Sequence, residues 1–132
     1  MALLGKADIL AAEDRKTVDV EVDEWGGTVR LREMSGRERD KFESDFVQTK
    51  GGETVENYDN LRARLVAACA VDENLNKLFP KPEDVKKLGD KSASALNKVW
   101  KAAQKLNGMT EADVEELVED LKADPSDDST SV

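Results

Sequence analysis

Histidine is missing from this 132-residue chain. Its absence removes the Ser-His and Cys-His nucleophile pairs and the commonest transition-metal ligand together. Cysteine occurs once, at Cys69, so no disulfide can close within one chain. Its setting, Leu65-Val66-Ala67-Ala68-Cys69-Ala70, makes the thiol a small apolar packing group. Long apolar runs are lacking too, with none approaching the roughly 18 residues of a membrane-spanning helix. The opening residues, Met1-Ala2-Leu3-Leu4-Gly5-Lys6-Ala7-Asp8, have neither a basic lead nor a sustained apolar core. The expectation is a soluble cytosolic protein. Positive charge is scarce: 20 Lys and Arg against 29 Asp and Glu leave a formal charge of -9. The basic residues are interleaved with acidic ones rather than gathered in a patch. Such a chain repels phosphates and anionic bilayers, so neither nucleic acid nor membrane is expected as a partner.

What is present is a clear order of elements. Val18, Val20 and Val22 share one face of a strand, with Asp19, Glu21 and Asp23 on the other. Trp25-Gly26-Gly27 then supplies a turn, and Thr28 to Met34 returns with Val29 and Leu31 alternating against Arg30 and Arg32. Acidic residues thus face basic ones across a hairpin. Ser35 and Glu38 have the spacing of a capping box and start a helix expected to carry Phe42 and Phe46. Lys50-Gly51-Gly52 closes that segment. Thr54 or Asn57 caps a second helix with Tyr58, Leu61, Leu65, Ala68 and Cys69 on one stripe. Pro82-Glu83-Asp84 reads as the first turn of a short helix stopped at Gly89. Asp90 caps the next, whose Ala93, Leu96, Val99, Trp100, Ala103 and Leu106 recur at helical spacing. A further short helix is expected within Ala7 to Glu13, and Thr110 caps a last one with Val114, Leu117, Val118 and Leu121 on its stripe. The fold class is therefore α+β: an N-terminal β-hairpin packed on a bundle of four or five α-helices. It forms a single domain over residues 1–123, followed by an acidic tail, residues 124–132, with nothing to bury and disorder expected.

Little in this pattern carries chemistry. The carboxylates fall in capping positions or on exposed helix faces, where they stay ionised, so acid-base catalysis is not expected. Gly26-Gly27 and Gly51-Gly52 lack the surroundings of a phosphate loop and read as turns. Asp72-x-Asn74-x-Asn76 followed by Glu83 reproduces the oxygen spacing of a calcium loop. Lys77 stands where that loop needs glycine, and Pro80 and Pro82 interrupt the exit, so a structural turn is expected and no metal or cofactor. Phe42, Phe46 and Trp100 at helical spacing are expected in the core. The last stripe, Val114, Leu117, Val118 and Leu121, either covers an ordinary core or belongs to a detachable amphipathic helix that shares its apolar face with a partner.

Several segments together resemble the tail assembly chaperones of long-tailed, siphovirus-type bacteriophages. They are Val18 to Val22, Glu24-Trp25-Gly26-Gly27-Thr28-Val29, Arg30 through Asp40 with Phe42, Val71-Asp72-Glu73-Asn74 leading to Leu78-Phe79, and Leu88-Gly89-Asp90-Lys91-Ser92 through Leu106-Asn107. They cover most of residues 8 to 110. Leu75 departs from the pattern, because that turn usually carries glycine in the family. The resemblance implies a non-enzymatic protein that binds the tape measure protein and helps recruit tail tube protein during tail assembly. It implies action in the host cell cytoplasm and absence from the mature virion. It further implies a second, longer product made by ribosomal frameshifting, which would extend the chain from residues 124–132 and join its partners. Val114, Leu117, Val118 and Leu121 are the candidate partner-binding residues. The alternative is a structural head-tail joining or tail-completion subunit that remains in the virion.

Overall fold

Strand β1 (Thr17–Val22) pairs antiparallel with β2 (Gly27–Arg32), from Thr17 opposite Arg32 to Val22 opposite Gly27. The computed structural model describes residues 2–50, 52–56 and 59–109. A single 3-10 turn, Asp23–Trp25, reverses the chain and ends at Gly26, whose φ of 73° lies in the left-handed region. A Cβ at Gly26 would meet nothing within 4 Å, so the requirement for glycine there is conformational rather than steric. Alternation works as the pattern predicts: Val22 and Leu31 are fully buried, while Val20 and Val29 pack partly against the core. Val18 remains 37% exposed although it faces the buried Leu31. The difference follows from position, since β1 is an edge strand and β2 is flanked on both sides, by β1 and by β5 (Ala70–Val71). Across the outer face the charge pairing narrows to Asp19 and Arg30, joined by two hydrogen bonds of 2.8 and 3.0 Å. Glu21 faces Thr28, and Arg32 faces Thr17.

The Ser35–Glu38 capping box forms in full, with Ser35 Oγ accepting from the Glu38 amide at 3.1 Å and Glu38 Oε1 accepting from the Ser35 amide at 2.9 Å. The helix it starts, α2 (Gly36–Ser44), is shorter than the aromatic spacing suggested. Phe46 lies in the turn beyond the helix, yet its ring meets that of Phe42 edge-on at 5.0 Å, and both are buried. A second hairpin follows, β3 (Val47–Lys50) with β4 (Glu53–Glu56), joined through Gly52 at φ 84°. Thr54 is therefore a strand residue rather than a cap. The β-branched residues on both sides of Gly51-Gly52 carry the strand preference that the sequence reading passed over.

Helix α3 (Leu61–Cys69) begins at Asn60, itself in the left-handed region at φ 57°. Ala63, Leu65, Val66, Ala67 and Cys69 are all buried, so this is a core helix enclosed on most sides, not a striped one. It packs against α2, β2, α4 (Pro82–Leu88) and α5 (Ala93–Leu106). Of the expected stripe, Tyr58 lies outside the described residues, and Asn60 rather than Thr54 or Asn57 stands at the helix start. The chain continues directly into β5, which completes a three-stranded sheet in the order β1-β2-β5. Gly89 caps α4 with ordinary helical φ, so it does not act as a left-handed stop. Its role is close approach: a Cβ there would lie 2.0 Å from Asn60 Oδ1.

Ser92, not Asp90, caps α5, with Oγ accepting from the Ala95 amide at 3.4 Å. At the other end, Met109 N donates to Gln104 O at 2.7 Å and Gly108 N to Lys105 O at 3.1 Å, with Gly108 at φ 67°. This is a Schellman ending, closed by the buried Met109. The architecture is α+β, as the sequence pattern requires, with five α-helices among the described residues. The expected Thr110-capped helix and the 124–132 tail lie outside the described residues.

Candidate interaction surfaces

Three places draw chemistry-bearing side chains together, and the first is a polar node at the junction of β2 and α2. Arg15 Nη2 donates to Glu38 Oε1 at 2.5 Å, and Lys77 Nζ reaches Glu38 Oε2 at 2.6 Å. Arg15 Nε also donates to the Glu33 carbonyl at 2.9 Å, and Lys77 Nζ to the Ala68 carbonyl. Burial pushes the Glu38 carboxyl upward, but the hydrogen bonds from Lys77 and the Ser35 amide, with the charges of Lys77 and Arg15, hold it below the ordinary glutamate value. Beside it, Asn107 accepts from the Met34 amide at 2.8 Å through Oδ1 and donates to the Ala103 carbonyl at 2.8 Å through Nδ2. The same Nδ2 lies 3.3 Å from Cys69 Sγ, whose pKa burial raises. A buried thiol held protonated is inert as a nucleophile. The node therefore binds the Arg15 segment, β2, α2, α3 and the end of α5 together.

Lys77 also explains the calcium-like spacing. Its ammonium is committed to Glu38, and Asp72 Oδ1 is occupied by the amides of Asn74 at 2.8 Å and Asn76 at 3.0 Å. Leu75 adopts φ 66°, a conformation glycine takes more cheaply. The segment is thus a side-chain-pinned turn. Among the described residues no group of three or more acidic or cysteine side chains is placed to hold a metal ion.

The second place is an open groove of about 740 Å³ between the start of α3 and the start of α5. Leu61 and Leu96 supply apolar floor, Asn60 and Asn97 hydrogen-bonding amides, and Arg62 and Lys91 the charge. Arg62 lies over the Trp100 ring at 5.7 Å, which holds the guanidinium at the rim while the indole stays buried. A groove with two cations is notable on a chain of net charge -9.

The third is the N-terminal arm, residues 2–14. Helix α1 (Lys6–Ala11) buries none of its residues. Its only side-chain cap contact is Asp8 Oδ2 accepting from the Gly5 amide at 3.0 Å. Leu3 is 99% exposed, Leu4 63%, Ile9 57% and Leu10 75%. The short helix expected within Ala7 to Glu13 forms at Lys6–Ala11. What the sequence pattern leaves without a role is the density of large apolar residues around it.

The sequence-predicted contact residues Val114, Leu117, Val118 and Leu121 lie outside the described residues. No helix among the described residues is long and apolar enough to cross a membrane. Comparison with protein-family models, curated proteins and solved structures finds no match to this chain.

Proposed function

We propose that this chain is a tail assembly chaperone of a long-tailed bacteriophage, a non-enzymatic protein that binds the tape measure protein and helps recruit tail tube subunits. The observation that supports this reading best is the convergence of the resembling segments. Glu38 from the capping segment holds Lys77 from the turn after Asp72, and beside this pair Asn107 from the end of α5 accepts from the Met34 amide. Patterns scattered over the sequence are thereby parts of one folded unit, as a family relationship requires. The surface suits the task as well. An elongated partner with apolar helical stripes aggregates unless a strongly charged protein covers them, and this chain combines a charge of -9 with exposed Leu3, Leu4, Ile9 and Leu10.

In this reading the protein works in the host cytoplasm, contacts the tape measure protein through the stripe Val114, Leu117, Val118 and Leu121, and leaves before the virion is complete. Co-expression with the tape measure protein tests it: the parent chain keeps that protein soluble, and Leu117→Ser with Leu121→Ser reduces the rescue. Absence of rescue by the parent chain refutes the function, while undiminished rescue by the variant refutes only the assigned stripe. A head-tail joining subunit is the second reading, favoured by the projecting apolar arm, which would suit a protein seated permanently in an assembly. Mass spectrometry of purified particles separates the two, since a chaperone is absent from them and a joining subunit present.

A further inference from the structure

We infer that residues 110–132 of this chain lie back along the lysine face of α5, with their last carboxylates in the α3–α5 groove. The inference stands on the placement of charge, whatever the tail-assembly reading proves to be. Three observations carry it.

The first is where the negative charge sits. Nine of the 29 acidic residues but only one of the 20 basic ones, Lys122, fall in residues 110–132, which leaves 20 acidic and 19 basic residues in 1–109. The segment therefore holds -8 of the formal charge of -9, and the remainder of the chain is close to neutral. Residues 110–132 lie outside the described residues, but the point from which they leave, Met109 at the end of α5, is fixed by its bond to Gln104.

The second is the outward face of α5. Lys98, Lys101 and Lys105 recur at spacings of three and four and so share one side of the helix, and all three are exposed. Toward the helix start the row continues through Ser94 to the groove, where Lys91 and Arg62 stand. Lys98 already holds a carboxylate, Glu24 of the β1–β2 turn, at 2.8 Å, and Ser94 Oγ donates to the same group at 3.4 Å. Among the described residues Lys91, Lys101 and Lys105 form no ion pair. Unpaired positive charge thus stands at both ends of α5.

The third is reach. The way back from Lys105 to Lys91 is roughly 20 Å at 1.5 Å per residue, and the 23 residues after Met109 exceed it even when coiled as tightly as a helix. In that direction the carboxylates of 111–120 pass Lys105 and Lys101 first. Asp124, Asp127 and Asp128 then arrive beside Arg62 and Lys91.

An acidic surface of another molecule would meet the same lysines, but the tether gives residues 110–132 an effective concentration on the order of millimolar. Each exposed pair contributes little by itself, so the row and the tether together hold the segment, and salt loosens it. While it lies there, the lysine face and the groove are closed to acidic ligands. Whatever draws residues 110–132 away opens them.

Paramagnetic relaxation in the full chain is the test. Ser126→Cys carries a nitroxide, Cys69 being buried and its thiol unreactive. In about 20 mM NaCl the amides of Lys91 and Lys98 are expected to relax faster than that of Lys105, although Lys105 is nearer in sequence to the label. In about 500 mM NaCl the enhancement at Lys91 is expected to fall by about threefold or more. Lys101→Glu with Lys105→Glu in the labelled chain is expected to give the same fall at low salt; both positions are exposed, and circular dichroism verifies the fold. Enhancement that is greatest at Lys105, that persists in high salt, or that survives in the folded variant overturns the inference. So does enhancement of the same size in an unlabelled, nitrogen-15 chain mixed with labelled chain, because the occupant is then a second copy. The salt series needs the parent sequence only, so it decides even if the variant does not fold.

Discussion

Replacing Asn107 with alanine should cost about 2 kcal/mol, and the structure indicates where the loss falls. The side chain makes three contacts: Oδ1 with the Met34 amide at 2.8 Å, and Nδ2 with the Ala103 carbonyl at 2.8 Å and with Cys69 Sγ at 3.3 Å. They are unequal. Ala103 O also accepts the Asn107 backbone amide at 3.1 Å, so it stays satisfied when the side chain is removed. Sulfur is a weak acceptor, and its loss matters little. The Met34 amide, in a residue only 6% exposed, loses the side-chain acceptor it is given. An amide left buried without a partner costs about 1–3 kcal/mol, and that single group dominates the sum. With a urea m-value of roughly 2 kcal/mol per molar for a domain of this size, the unfolding midpoint falls by about 1 M.

Urea melts followed by circular dichroism measure the shift, and hydrogen exchange at the Met34 amide locates it. Asn107→Asp is the informative companion, because it keeps the acceptor for Met34 and exchanges the donor facing Ala103 O for a carboxylate oxygen. It should be destabilised at neutral pH and partly recover on acidification, when a protonated acid again offers a donor. A midpoint shift for Asn107→Ala below about 0.3 M would refute the reasoning, since water would then be satisfying Met34 without side-chain help.

Ser35→Ala removes the acceptor for the Glu38 amide and should cost about 1 kcal/mol in a denaturant melt, leaving α2 frayed at its start. Gly89→Ala should destabilise the chain although its φ is ordinary, because the new Cβ would meet an Asn60 side chain anchored to the Val85 carbonyl; an unchanged melting temperature would mean Asn60 simply moves aside. Glu38 titrates below the ordinary value of 4.5 when folded, so its contribution is present above that value and is lost as pH falls through the lower folded one. Glu38→Gln should therefore be less stable at neutral pH and lose less stability than the parent between about pH 6 and about pH 3.

Local rules account for the parts that sequence reading placed well. The β1–β2 hairpin, the capping box and the helical spacing of α5 each depend on residues within a few positions of one another, so their signals are complete in a short window. The errors arise where a choice between two local signals is settled at long range. Lys50-Gly51-Gly52 serves equally as a helix stop and as a hairpin tip, and β4 decides between them. Ser92 and Asp90 are both sound caps, but only Ser92 stands at the position from which Ala95 can be reached. Asn107 closes one of the resembling segments, but nothing in its own spacing indicates a tertiary role, since a polar residue after a helix is usually solvated. Its contact with Met34 spans 73 positions. In the sequence Lys77 reads only as the residue that spoils a calcium loop, and its bond to Glu38 is a tertiary contact no spacing rule contains.

The Glu38 node ties the root of the N-terminal arm to the fold. Arg15 ends the unburied segment and begins the anchored one: its guanidinium grips Glu33 and Glu38, and the Glu33 amide donates to the Lys16 carbonyl at 2.8 Å just before β1 starts. Residues 2–14 are exposed throughout, and β1 begins two residues after Arg15. Arg15→Ala removes both grips and leaves the Ser35 amide and Lys77 on Glu38, so the node persists. The variant should exchange its Lys16 and Glu33 amides faster than the parent while the amides of α2 keep their protection. Equal exchange at Lys16 and Glu33 in the two proteins would mean that the strand pairing, and not Arg15, fixes the root.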